Sequence, residues 1–134
     1  MRTYNSKKVT IACGYHMVTG YAEDAFITID EMGDGVTSVA GADGEVGRSV
    51  SPDPRKTVKV SLAQNSSSNK YFRKMYNKDK TDGTGTFSFL MKDLTDGTIF
   101  SGDTAWVNKL PTISRGKAVG NTEWELTVVG EFDD

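Results

Sequence analysis

Cysteine and histidine, two residue types that carry nucleophilic and acid–base chemistry, each occur once in this chain, at Cys13 and His16. A catalytic triad requires a nucleophile, a histidine and a carboxylate, and no spacing around His16 indicates such a set. Cys13 continues the inward parity of Val9 and Ile11. A cysteine in such a pattern behaves as a small buried hydrophobe, whereas a reactive thiol needs a base and an electropositive setting. The sequence therefore predicts that the protein is not an enzyme.

Two glycine- and acid-containing loops could bind an ion or a phosphate. The stretch "DEMGDG", residues 30–35, does not follow the D-x-[DN]-x-[DN]-G spacing and distant glutamate of a calcium loop, which favours a solvated turn. The stretch "GADGEVG", residues 41–47, lacks the Lys-Ser/Thr pair of a phosphate-binding loop, and a strand follows it instead of a helix. Its two acids would also repel phosphate. The sequence predicts no metal site and no cofactor.

Trp106 and Trp124 could form a platform for a small ligand. In a small β domain, however, large aromatic side chains more often bury their area in the core. We therefore predict a set of aromatic core anchors, namely Phe72, Phe87, Phe89, Trp106 and Trp124.

The elements that would position these residues are mostly strands, since apolar and polar residues alternate along the chain. The inward-facing residues of three strands are predicted to be Val58, Val60 and Leu62, then Phe87, Phe89 and Met91, then Trp124, Leu126 and Val128.

One segment instead has helical periodicity, with Phe72, Met75 and Tyr76 at i, i+3, i+4 spacing. We predict a helix over about 67–79, capped by Ser67 or Ser68. Its basic face is a candidate contact with another protein or simply a solvated surface; it consists of Lys70, Arg73, Lys74 and Lys78.

A protruding arm is predicted over about 35–56. Two strand-like stretches flank Asp43-Gly44, which is a typical hairpin turn, and "SPDP" at 51–54 closes the segment. A connection of this length inside a compact domain is usually functional or disordered, and the strand-like flanks argue against disorder.

The totals bound the possibilities further. A chain of 134 residues with 37% hydrophobic and 25% charged residues suits one domain over 1–134, and 14 glycines favour turn-rich β architecture. The net charge of −2 provides no basic surplus for nucleic acid or an anionic membrane. There is no long apolar run, no secretory leader is visible, and a single cysteine fits folding in a reducing cytoplasm.

Five stretches, taken in order, resemble a known family: "GADGEVGRSVSPD", "VKVSLAQNSSSNKYF", "FSFLMKDLTDGT", "AWVNKLP" and "GNTEWELTV". They are similar to the tail tube proteins of contractile-tailed bacteriophages, which share their architecture with the tube protein of bacterial type VI secretion. The resemblance covers most of the chain and rests on the order and spacing of the stretches. It implies a β-sandwich or barrel-like domain with one flanking helix and an extended hairpin arm.

The resemblance also implies an assembly. Six copies close into a ring through edge-to-edge strands, and rings stack through the extended loop into a hollow tube. The expected partners are further copies of the chain, the surrounding sheath, the tape measure protein and then DNA in the lumen without specific binding, and baseplate and terminator proteins at the ends. The expected location is the virion tail, after assembly in the host bacterial cytoplasm.

On this interpretation Asp43 and Gly44 form the tip of the stacking arm, while Glu45 and Arg48 contact an adjacent subunit or ring. The lumen is expected to be neutral or acidic, because inward-facing lysines would hold DNA phosphates. Two alternatives stay open: another tail component, such as a terminator or a baseplate hub, and a small ligand-binding β-sandwich.

Overall fold

The computed structural model describes residues 9–21, 26–95, 97–113, 115–116 and 120–133. Within this part of the chain the fold is mainly β, with a single helix. The elements in order are β1 (Val9–Cys13), β2 (His16–Met17), β3 (Ile27–Glu31), β4 (Val36–Ala40), β5 (Val46–Val50), β6 (Arg55–Ala63), α1 (Ser68–Asp82), β7 (Phe87–Asp93), β8 (Thr98–Lys109) and β9 (Asn121–Asp133).

Seven of these strands form one antiparallel sheet in the order β2-β1-β7-β8-β9-β6-β3. After β2 the chain runs to the opposite end of the strand order and meets β6. There the amide of Ala63 donates to the carbonyl of Gly20 over 2.7 Å, and Tyr21 forms a bridge with Leu62. This crossing wraps the sheet around its own apolar face and gives a barrel-like body.

The core lies on that enclosed face. The inward residues predicted for β6, β7 and β9 are all buried, because a strict two-residue period holds along each of these strands. Phe72 of α1 is fully buried among them, with its ring centroid 5.5 Å from that of Trp124. The helix thus covers the core with one aromatic side chain, while Tyr71, Met75 and Tyr76 pack at its margin.

The helix is longer than predicted and begins differently. It extends to Asp82 and ends at Gly83, whose φ of 74° closes the last turn through a bond from its amide to the Asp79 carbonyl. Ser67 occupies the N-cap position but its side chain makes no capping bond. Ser66 does this instead, since its Oγ accepts from the Ser68 amide over 3.2 Å.

The prediction that Trp106 anchors the core is wrong. Ala105 and Val107 are buried on either side of it, so Trp106 points to the outer face of β8, where it is half-buried opposite Thr127. The reason is a bulge at Asp103, which the pairing with β9 skips. An extra residue in one strand reverses the parity of every residue beyond it.

Candidate functional site

The predicted arm is a separate hairpin of β4 and β5 that pairs with no other strand among the described residues. Every residue from 36 to 50 is exposed to solvent. Because β6 begins at Arg55, the last two residues of the predicted arm belong to the main sheet. The β4–β5 hairpin therefore lies outside the core of its own chain.

One side of the hairpin, the valine-rich face, is largely apolar. Cross-strand partners lie on the same side of an antiparallel pair, and the register pairs Val36 with Val50, Ser38 with Arg48, and Ala40 with Val46. The three valines are 54–67% exposed. A contiguous exposed apolar surface with a polar centre marks an interaction site in a soluble domain.

The tip of the hairpin is built as the sequence indicates. Gly44 has a φ of 87°, which a side chain would resist, and its amide donates to the carbonyl of Gly41 over 2.9 Å. The Asp43 carboxylate accepts from the amide of Glu45 over 3.1 Å. Asp43 and Gly44 thus shape the turn, while the contacts of Glu45 and Arg48 with another copy stay a prediction.

The base of the arm is fixed by two contacts. The amide of Ser51 donates to the carbonyl of Gly35 over 2.7 Å, which extends the ladder by one step. Arg55 then forms a forked ion pair with Asp53, with Nη2 and Oδ2 2.8 Å apart. The hydrogen bonds from Arg55 lower the pKa of Asp53 to about 2.

His16 has a structural environment. Its Nε2 lies 2.9 Å from Oγ of Ser68, and its ring stacks on Tyr71 with a centroid distance of 4.5 Å. The Ser68 hydroxyl is fully buried and also accepts from the Thr19 amide over 3.1 Å, so it is not accessible to a substrate. The pair joins β2 to α1. Sequence reasoning did not identify Ser68 here, because 52 residues separate the two partners.

Cys13 is buried, and burial raises the pKa of its thiol to about 12. A thiol with this pKa stays protonated at physiological pH and is a poor nucleophile. In the part of the chain that the structure describes, no three His, Cys, Asp or Glu side chains are grouped to hold a metal ion. In the same part, no helix is long and apolar enough to cross a membrane.

The two tryptophans do not form a common platform, since Trp124 is in the core and Trp106 is on the opposite face of the sheet. The basic face of α1 is mostly solvated. Lys70, Lys74 and Lys78 are exposed, and Arg73 is half-buried.

Comparison with known proteins agrees with this geometry. A profile of the family described as "Bacteriophage PhiTE tail tube protein" matches residues 1–133. The chain is similar to "Structural protein ORF10" of Pseudomonas phage KPP10, with 25% identity over 134 residues that cover 94% of this chain and 78% of the relative.

Solved structures share the fold at low identity. The chain resembles the sheath-tube complex of the PVC extracellular contractile injection system with a TM-score of 0.69, 8% identity, and 98% and 91% of the two chains covered. It resembles the anti-feeding prophage tube-terminating cap with a TM-score of 0.68, 7% identity, and 99% and 92% covered. The relatives that share its sequence are structural proteins and not enzymes. The chain therefore belongs to the phage tail tube protein family described for bacteriophage PhiTE and is a structural component of a phage tail.

Proposed function

We propose that this chain forms the inner tube of a contractile phage tail. In this proposal the chain is one domain, six copies close into a ring, and rings stack into a hollow conduit through which the genome leaves. The observation that carries the proposal is the β4–β5 hairpin, whose residues are exposed throughout and, among the described residues, belong neither to the main sheet nor to the buried core.

The edges of the main sheet support ring closure. The strands at its two ends are β2 and β3, and each presents one side without a partner among the described strands. Unpaired edges of this kind invite pairing with another chain, and a closed ring removes them all. Pairing of the β2 edge of one copy with the β3 edge of the next is heterologous, as a cyclic assembly requires.

The lumen and the ends of the tube follow from the same proposal. The lumen is neutral or acidic, so that the tape measure protein and then DNA pass without specific binding. The sheath surrounds the tube, with the basic face of α1 as a candidate contact, and baseplate and terminator proteins close the two ends. One of the similar structures is a sheath-tube complex, and this likeness supports the partnership with a sheath.

Electron microscopy of the purified, concentrated protein in moderate salt tests this function. We expect hollow tubes or rings with six-fold top views. A protein that stays monomeric at every concentration and salt condition would contradict self-assembly. A reconstructed lumen dominated by lysine and arginine would contradict the proposed passage of DNA.

A tail terminator is the second candidate, because the fold matches a PVC sheath/tube terminator equally well. The TM-score is 0.69 at 6% identity, with 100% and 99% of the two chains covered. A tube protein must polymerise with itself, whereas a terminator forms one ring. Sedimentation velocity at rising concentration separates them: open-ended growth supports the tube, and a single species that stops at one ring supports the terminator.

A further inference from the structure

We infer that the valine-rich face of the β4–β5 hairpin docks on a specific depression of a second copy. We name this depression the carboxylate notch. It lies where β8 and β9 pair beside the start of β6 and is lined by Pro54, Ser101, Gly102, Asp103, Val129, Gly130 and Glu131. Arg48 of the arriving hairpin enters between the carboxylates of Asp103 and Glu131. The inference rests on the proposed function and names the receiving surface for the arm.

The hairpin presents a single cation to a partner on this face. Arg48 is exposed, and its cross-strand neighbour Ser38 is small, so the guanidinium is free to extend away from the strand. Val36 and Val50 lie on one side of this pair, with Ala40 and Val46 on the other. A complementary partner surface would therefore place hydrogen-bond acceptors at its centre, opposite Arg48, with weakly polar surface around them.

The carboxylate notch has that character. Gly102 and Gly130 face each other across the two strands, so their part of the floor carries no side chains. Asp103 is the bulged residue that the pairing skips, and Glu131 lies on the adjacent strand; both are exposed. Half-buried Val129 adds apolar surface to the lining.

The two cations at the start of β6, beside Pro54 of the notch, already have partners. Arg55 is paired with Asp53, and Nζ of Lys56 donates to the carbonyl of Pro54 over 3.4 Å. Together with Asp53, the two notch carboxylates outnumber these cations by one charge. A fork of guanidinium donors matches carboxylate acceptors better than an ammonium group does, so arginine suits this position.

The placement of the two surfaces determines the kind of contact. The notch lies beside Pro54, near the base of the chain's own arm, so the hairpin of one copy would dock near the arm base of the next. Such a contact joins two different surfaces and leaves one of each free. A heterologous contact of this type propagates from copy to copy, as stacked rings require.

Cross-linking of engineered cysteines in the full chain tests the docking. Ser38→Cys lies on the valine-rich face, Ser101→Cys lies in the notch, and the buried native Cys13 does not compete. We expect a mixture of the two single variants to form disulfide dimers under mild oxidation, and a double variant to form a ladder. Ser49→Cys is the matched control, because it is exposed on the opposite face of the same hairpin.

Charge exchange tests the role of Arg48 itself. Two variants reverse the charges on one surface at a time: Arg48→Glu on the hairpin, and the double variant Asp103→Lys, Glu131→Lys in the notch. Each should raise the protein concentration needed for assembly about tenfold, as measured couplings of close interfacial charge pairs indicate. Combining the changes should restore assembly. Melting curves of each variant identify any that fail to fold, and the cross-linking experiment then decides alone.

The outcomes separate the two proposals. If the wild-type chain forms tubes and the Ser38→Cys and Ser101→Cys variants form a specific disulfide link, both the tube function and the docking are supported. If the wild-type chain forms tubes but the variants form no such link, or if Ser49→Cys links equally well, the docking is overturned and the tube function stands. If the wild-type chain forms neither rings nor tubes, the proposed function fails and the docking fails with it.

Discussion

The indole Nε1 of Trp124 donates a hydrogen bond to Oδ1 of Asn69 over 2.8 Å, inside the core and between the sheet and the helix. The side-chain nitrogen Nδ2 of Asn69 in turn donates to the backbone carbonyls of Ala63 and Gln64 over 3.1 and 3.3 Å. One side chain therefore satisfies the buried indole and ties α1 to the end of β6.

Asn69→Ala should lower the free energy of unfolding by about 2 kcal/mol, because it leaves the buried indole N–H without an acceptor. Chemical denaturation checks this. Asn77→Ala is the control, since Asn77 is exposed in the middle of the same helix, and it should change stability by no more than about 0.5 kcal/mol. Equal effects of both substitutions would contradict the role of the bond.

Replacement of Glu45 and Arg48 together by alanine should weaken assembly and leave the melting temperature almost unchanged. Both side chains are exposed, and no hairpin residue belongs to the buried core in the part of the chain that the structure describes. Sedimentation and thermal melting measure the two effects. The matched control is Thr37→Ala with Ser49→Ala on the opposite face of the hairpin. If neither assembly nor melting responds to the first pair, the arm does not act through these charges.

Gly44→Ala should strain the hairpin tip by about 1 kcal/mol, because the φ of 87° is unfavourable for a residue with a Cβ. We expect faster hydrogen exchange of the β4 and β5 amides without a change in global stability. Gly47→Ala is the control, since the added Cβ would meet open space at an ordinary φ. Equal exchange rates in the two variants would show that the turn conformation is not limiting.

Cys13 should react with a thiol reagent at pH 8 only when the chain unfolds, since its pKa is raised to about 12 by burial. The unfolded thiol loses its proton at a lower pH than the folded one, near the ordinary value of 9.0. Between these values the unfolded state binds fewer protons, so stability falls as pH rises. In Cys13→Ala, the free energy of unfolding should fall less steeply with pH, by up to about 1.4 kcal/mol per pH unit.

The Asp53 carboxyl should keep its charge at pH 3, because its folded pKa lies near 2 and not near 3.8. Because the folded pKa is lowered, the ionised carboxyl stabilises the folded state above pH 3.8, the ordinary pKa, and this stabilisation is lost as the pH falls towards 2. A carboxyl titration by NMR measures the value directly. Arg55→Gln should return the pKa towards 3.8, and an unchanged titration would contradict the ion pair as its cause.

Alternation predicted the buried residues of β6, β7 and β9, since a strand that follows a two-residue period determines its own faces. The prediction for Trp106 rested on the size of its side chain and was wrong, because the bulge at Asp103 turns this residue to the outer face of β8; the bulge depends on how β8 meets β9 and leaves no local signal. The hairpin tip was predictable for the opposite reason: Asp43-Gly44 determines its turn locally.

The contacts that sequence reasoning missed have a common cause. His16 with Ser68 and Asn69 with Trp124 lie 52 and 55 residues apart, and only the packing of α1 on the sheet brings them together. The receiving surface of a second copy is hidden for the same reason, as Asp103 and Glu131 become neighbours only through the pairing of β8 with β9.

The complete exposure of the β4–β5 hairpin has an evolutionary consequence. Mutations in a core must preserve volume and polarity, so most of them are removed by selection for stability. Residues 36–50 are under less of that constraint, because none of them belongs to the buried core of the described residues. If the hairpin docks on a second copy as proposed, new pairing specificities can arise from paired changes in two exposed surfaces, the hairpin and the notch, while the buried core that folds the domain stays the same.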